Sequence, residues 1–207
     1  MQLLTNFMEF LLEGAYAITH NWGLAIILLT IGVRAAMYPL TVRQSEGMEI
    51  MKRLQPKLQE LQKKYQDRPE ELQRRMLALY KEHNYNPFSG CLPVLIQFPI
   101  LIGLFNVLRT YQFDSGFLWL DLGAPDPYYI LPILAAVTTY TQMMQTSTGD
   151  ASQRMMMMLM PIFIGWISLG FPGGLVLYWV VSNLLGMLQQ WLIARRMAVQ
   201  QRSSEAS

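Results

Sequence analysis

The apolar run from Gly23 to Tyr38 would be an ordinary membrane-spanning helix if it did not contain Arg34. A guanidinium keeps its proton inside a protein, and carrying it into a bilayer costs about 2.5 to 3.5 kcal/mol even on mild insertion scales. With Trp22 as an interfacial anchor and a rise of about 1.5 Å per residue, Arg34 lies roughly 18 Å along the helix, past the middle of a hydrocarbon core about 30 Å thick. Either the side chain snorkels to the near face, or its surroundings supply water or a partner.

The rest of the chain has the same membrane character. Hydrophobic residues make up 52% of it and charged residues 14%, and the charges cluster between apolar runs, unlike a soluble domain. Four further runs, about Cys91 to Leu108, Tyr128 to Gln145, Met155 to Phe171 and Leu175 to Ile193, are each long enough to span. Pro172-Gly173-Gly174 is so short a turn that the last two must be antiparallel. Phe117-Leu118-Trp119-Leu120 suits the headgroup region. The expected fold is an all-α membrane protein of five transmembrane helices.

Residues 1–20 lack a basic n-region and contain Glu9 and Glu13, so they do not read as a cleaved signal peptide. Leu3, Leu4, Phe7, Met8, Leu11 and Leu12 fall at helical spacing, which predicts an external amphipathic helix lying in the interface. The core then runs over 21–196, with 197–207 as a tail. Pro39 ends the first apolar run, and 43–86 is strongly polar. Met48, Met51, Leu54, Leu58, Leu61 and Tyr65 predict an amphipathic helix over Glu46 to Tyr65, kinked at Pro56. Pro69-Glu70-Glu71 opens a second helix with the stripe Leu72, Met76 and Leu79, giving an αα-hairpin. Two helices lying flat on lipid are the alternative.

Orientation follows from charge. Segment 43–86 carries ten lysines and arginines; placing it in the cytoplasm also puts Arg154, Arg195, Arg196 and Arg202 inside and leaves Arg109 alone outside. The N-terminus is then external and the C-terminus cytoplasmic, a parity that five spans satisfy.

The five apolar runs contain no aspartate or glutamate, so no intramembrane carboxylate can neutralise Arg34. Polar groups able to line a wet cavity do occur: Thr30, on the face of Arg34 one turn earlier, Gln97, Thr138, Thr141, Gln142, Gln145, Tyr178, Ser182 and Asn183. Each alone is equally readable as a bond between helices. Together with an unpaired arginine they favour a hydrophilic groove over a sealed bundle.

Arg34-Ala35-Ala36-Met37-Tyr38-Pro39-Leu40-Thr41, Leu54-Gln55-Pro56-Lys57, Asn86-Pro87-Phe88-Ser89-Gly90-Cys91-Leu92-Pro93-Val94-Leu95-Ile96-Gln97-Phe98-Pro99-Ile100, Asp126-Pro127-Tyr128-Tyr129-Ile130-Leu131-Pro132 and Phe171-Pro172-Gly173-Gly174-Leu175-Val176-Leu177-Tyr178-Trp179-Val180-Val181-Ser182-Asn183 resemble, in order, the signatures of the bacterial YidC membrane protein insertases. The resemblance covers Trp22 to Arg196. The large external domain and additional first helix of Gram-negative members have no counterpart here, nor does the lipoprotein signal usual in Gram-positive ones.

The resemblance implies a bacterial inner-membrane insertase and chaperone for newly made membrane proteins, with a groove open to cytoplasm and lipid and closed outside. It implies a groove arginine at Arg34, places Thr30 and Trp179 at positions important for activity, and sets Gln142 in the same cavity. A polar, often acidic segment of the incoming protein would enter the groove, where Arg34 attracts it and water lowers its desolvation cost. Its apolar helix would partition into lipid along the second and fourth spans, at Ile96, Ile100, Met155, Met158 and Pro161, without nucleotide hydrolysis. Met155 to Met158 and Met160 suit such a surface and equally suit core filling. Expected partners are nascent membrane proteins, the lipid bilayer, the ribosome and signal-recognition components at the basic hairpin and tail, and the Sec translocon.

No enzymatic chemistry, metal or cofactor is expected. His20 and His83 lack ligand spacing, the single Cys91 reads as a packing residue, and no glycine-rich phosphate loop precedes a lysine. The alternative to an insertase is a small channel or transporter using Arg34 for an anionic solute, although no inverted repeat is visible.

Overall fold

The computed structural model describes residues 2–83, 85, 92–110, 113, 116–147 and 151–205, with the side chains of 92–96, 151–154 and 200–205 outside that description. The described residues form eight helices: α1 (Gln2–Thr19), α2 (Trp22–Ala36), α3 (Tyr38–Lys64), α4 (Pro69–Glu82), α5 (Leu92–Thr110), α6 (Ile130–Thr146), α7 (Ala151–Ser168) and α8 (Gly173–Glu205). The all-helical expectation holds, apart from an isolated antiparallel pairing of Phe117 with Leu120. The Asn86–Cys91 part of the third sequence motif lies outside the described residues.

α1 does not run on into α2. His20 takes a positive φ of 52°, Asn21 caps α2 by accepting from the Leu24 amide at 3.2 Å, and the axis turns through 117°. Turned this way, α1 buries Met8, Leu12 and Ala15 and leaves Leu3, Phe7, Phe10 and Ile18 exposed. Tyr16 stacks on Trp22 across the corner, ring centres 3.9 Å apart.

The apolar run ends at Pro39, where a new helix has already begun. Met37 ends α2 and caps α3, and Pro39 sits in the first turn of α3, where its missing N–H costs nothing. α3 therefore begins eight residues before the predicted Glu46, so its first turns belong to the bundle. Ser45, Leu54 and Leu58 are buried, whereas α4 has no buried residue.

α8 is the central element and packs on α2, α3, α5 and α6, while α7 packs on α6. By length and composition, Gly173–Val199 within α8 is the one described helix able to cross a bilayer alone; α1 and α2 meet the measure only as the bent pair, and the apolar stretch Met155–Ser168 is shorter. Ile26 and Leu29 of α2, Leu104, Val107 and Leu108 of α5, Leu131 and Ala135 of α6 and Leu175 to Tyr178 of α8 form one core. It fills the half of the bundle beside the α5–α6 loop.

That loop is tied down. Asp126, only 3% exposed, accepts from the Leu131 amide at 2.7 Å, the Tyr128 amide at 3.1 Å and Trp119 Nε1 at 3.1 Å. The amides of Gly173 and Gly174 donate to the carbonyls of Ala124 (2.7 Å) and Leu122 (3.0 Å). Gly174 fits closely there, since a Cβ would stand 2.9 Å from Leu108 Cδ2, 3.0 Å from Ile26 Cδ1 and 3.1 Å from the Leu122 carbonyl, and those neighbours would have to shift.

Candidate functional site: a polar groove around Arg34

The other half of the bundle is open. A cavity of about 350 Å³ lies among four walls. Arg34 of α2 and Met37 at the break are continued by Thr41, Gln44 and Met48 of α3, spaced three or four residues apart, so two helices make one wall. α5 contributes Gln97, Phe98 and Leu101, α6 contributes Gln142, Met143, Gln145 and Thr146, and α8 contributes Trp179, Ser182, Asn183, Gly186 and Gln190.

Arg34 is held from α8. Its Nε and Nη2 donate to Ser182 Oγ at 3.0 and 2.9 Å, and Gln189 Nε2 donates to the Arg34 carbonyl at 3.0 Å. Among the described residues no carboxylate comes within ion-pair distance of it. The ion pairs found there, Glu49–Arg53 at 3.7 Å and Glu71–Arg75 at 3.4 Å, are on the hairpin. A half-buried cation with free donors on an open cavity is a site for an anion or for water.

A second network joins α6 to α8. Trp179 Nε1 donates to Thr139 Oγ1 (3.0 Å); the Asn183 amide, with its oxygen toward Thr139 Oγ1 (3.0 Å), presents its nitrogen to Gln142 Oε1 at 2.7 Å. Lower in the groove Ser45 Oγ donates to Gln190 Oε1 at 3.0 Å, and Arg196 donates to the Tyr38 hydroxyl at 3.1 Å.

Of the residues singled out in the sequence, Arg34, Gln97, Gln142, Trp179, Ser182 and Asn183 meet on the cavity. Thr30 and Tyr178 do not. Thr30 is fully buried one turn into the core and returns its hydroxyl to the Ile26 carbonyl at 2.6 Å, so it has no spare donor for the groove. Tyr178 is also fully buried; its hydroxyl accepts from Gln97 Nε2 at 2.6 Å, making the boundary between core and cavity.

Among the expected lipid-side contacts, Met155 and Met158 are 65% and 70% exposed. Pro161 is buried and Ile100 packs on the core; the Ile96 side chain lies outside the described ones. Phe98 and Ile102 instead carry the exposed face of α5. Thr139, Gln44, Gly186 and Gln190 were not singled out, although Ser182, Gly186 and Gln190 recur every fourth residue and could have been read as one face.

A bundle of apolar helices around a half-open polar groove with a central arginine is the architecture of a helical membrane protein. The family described as 60Kd inner membrane protein matches residues 14–201, and the chain belongs to it. The membrane protein insertase YidC of Fusobacterium nucleatum is 41% identical over 197 residues, 94% of this chain and 96% of that protein. The insertase of the same name from Vibrio cholerae is 42% identical over 192 residues, but the chain spans only 36% of its length. A crystal structure of an active YidC insertase with its first transmembrane domain resolved superposes with a TM-score of 0.73 at 32% identity, covering 89% of this chain and 44% of that one.

Proposed function

We propose that the chain inserts newly made membrane proteins into a bacterial inner membrane and assists their folding, receiving a hydrophilic segment in the groove while the attached apolar helix passes into lipid beside it. The observation that carries this reading is Arg34: its guanidinium faces an open polar cavity with Ser182 as its anchor and, among the described residues, no carboxylate within ion-pair distance. A permanent positive charge there attracts acidic segments and keeps water in the groove, lowering the desolvation cost of polar residues.

Five spans cross the bilayer in this reading: α2, α5, α6, α7 and α8, with the N-terminus outside and α3 and α4 in the cytoplasm. The distribution of lysine and arginine supports it. α2 and α6, at 15 and 17 residues, rise about 22 and 26 Å, less than the hydrocarbon thickness, so the membrane beside them thins and the crossing shortens. α1 lies in the outer interface. Phe98, Ile102, Met155 and Met158 line the route of the apolar helix. The basic hairpin and tail meet the ribosome, signal-recognition components or anionic lipid, and the Sec translocon is a further partner.

An anion channel is the rival reading, and the core speaks against it: Leu104, Leu108, Tyr178 and the tied α5–α6 loop fill the end of the bundle opposite the groove mouth, leaving a receptacle rather than a passage. The test is reconstitution of the full chain in liposomes, with insertion of a small single-span substrate measured beside anion uptake. Insertion without uptake is expected, with crosslinks to the substrate from photoreactive residues at Phe98 and Met158. Uptake without insertion would replace the insertase reading by the channel.

A further inference from the structure

A glycine in the middle of a 33-residue helix needs a reason, since it costs about 1 kcal/mol against alanine in a helix interior. Gly186 lies in α8 on the face of Ser182 and Gln190, one turn from each. It is buried, and a Cβ on it would stand 2.6 Å from Gln142 Nε2, 3.0 Å from Arg34 Nη1 and 3.1 Å from Arg34 Cζ. Those separations are inside ordinary contact distance for carbon, so any side chain must push both groups away.

Both groups have short tethers on the same helix. Arg34 is held through Nε and Nη2 by Ser182, and Gln142 through Oε1 by Asn183. Two anchors one turn before a bare patch of backbone define a seat: the guanidinium and the Gln142 amide lie on α8 where Gly186 offers no side chain. We propose that Gly186 is a positioning residue for the groove, fixing the place of the Arg34 charge against α8 so that an acidic segment meets it at a defined site.

Gly165 shows what a packing glycine looks like. A Cβ there would meet Ala136 Cβ at 3.0 Å and the Pro132 carbonyl at 3.5 Å, with no charged group nearby. It is the control for Gly186. The inference rests on the electrostatic reading of Arg34, and its test therefore carries a measurement that does not.

Gly186→Ala, Gly165→Ala and Arg34→Ala are reconstituted with the same single-span substrate in an acidic and a neutralised form. Reaction of Arg34 with phenylglyoxal is followed in parallel by mass spectrometry of its peptide. Gly186→Ala is expected to lower insertion of the acidic substrate several-fold and to leave the neutralised one nearly unchanged, because the guanidinium must give way by a few tenths of an ångström and loses its fixed place on α8. Phenylglyoxal labelling of Arg34 rises several-fold as the guanidinium leaves α8. Gly165→Ala alters neither the substrate ratio nor the labelling.

Unchanged labelling in Gly186→Ala overturns the proposal, as does equal loss for both substrates in that variant when Arg34→Ala discriminates between them. Raised labelling with no discrimination by either variant keeps the seat and sinks the electrostatic reading alone. If Gly186→Ala fails to fold, Gly186→Ala with Gln142→Ala removes the tightest contact and leaves the Arg34 contact to be read by the same labelling.

Discussion

Arg34 gives two donors, Nε at 3.0 Å and Nη2 at 2.9 Å, to one oxygen, the hydroxyl of Ser182 on a helix 148 residues away in sequence. A hydroxyl carries no charge, so the bond orients the guanidinium without neutralising it. The field of the arginine stays available to whatever enters the cavity, which an aspartate at the same place would cancel.

Charge and shape can be separated at this position. Arg34→Lys keeps the charge and loses the fork, and should retain much of the insertion activity. Arg34→Ala should lose it for substrates with an acidic translocated segment, and neutralising that segment should remove the dependence. Insertion of both substrates by the three variants in proteoliposomes is the measurement. Lysine failing as badly as alanine would make Arg34 a structural fork.

Asn183 bridges α8 to Gln142 and Thr139 of α6. Asn183→Ala strips partners from an interhelical network in which single bonds are worth about 0.6 to 1.7 kcal/mol, so a loss of roughly 1 to 3 kcal/mol is expected. Denaturant unfolding in detergent reads it, and a change near zero would show that the two helices do not need this bridge.

Asp126 accepts three bonds at the closed end of the bundle. Asp126→Ala leaves the Leu131 and Tyr128 amides and the Trp119 indole without their acceptor and should destabilise the protein by about 2 to 4 kcal/mol. Asp126→Asn keeps an acceptor and should cost less. Thermal unfolding of the pair decides; equal stability of alanine and wild type would refute the tie.

α4 buries nothing, whereas α3 buries Ser45, Leu54 and Leu58. Amide exchange should therefore be faster in α4 than in α3. Hydrogen-exchange mass spectrometry in nanodiscs gives the order. Protection of α4 equal to that of α3 would require a contact for the hairpin that the bundle does not provide.

Sequence patterning located the helices well because apolar runs and amphipathic stripes are local properties. α4 begins at Pro69 as its proline and acids predict, and α5 to α7 overlap the expected runs, while α8 continues past the expected Ile193 to Glu205. The start of α3 at Tyr38 rather than Glu46 was less legible, since a proline that lacks the N–H needed inside a helix is at home in its first turn. In the groove, residue type was enough to find Arg34, Gln97, Gln142, Ser182 and Asn183. It could not distinguish Thr30, whose hydroxyl is spent on its own helix, from a lining threonine. Nor could it mark Gly186, whose importance is an absence of atoms where two side chains converge.

The continuity of α3 has one more result. Met48 is its last residue on the cavity, and Lys64 ends the helix sixteen residues later, about 24 Å away. Ser45 and Tyr38, bonded to Gln190 and Arg196 of α8, act as the fulcrum of that rod. A tilt of about 5° there swings the far end by about 2 Å while the groove wall shifts by a fraction of an ångström, so a partner gripping the hairpin would work on the mouth through a long lever.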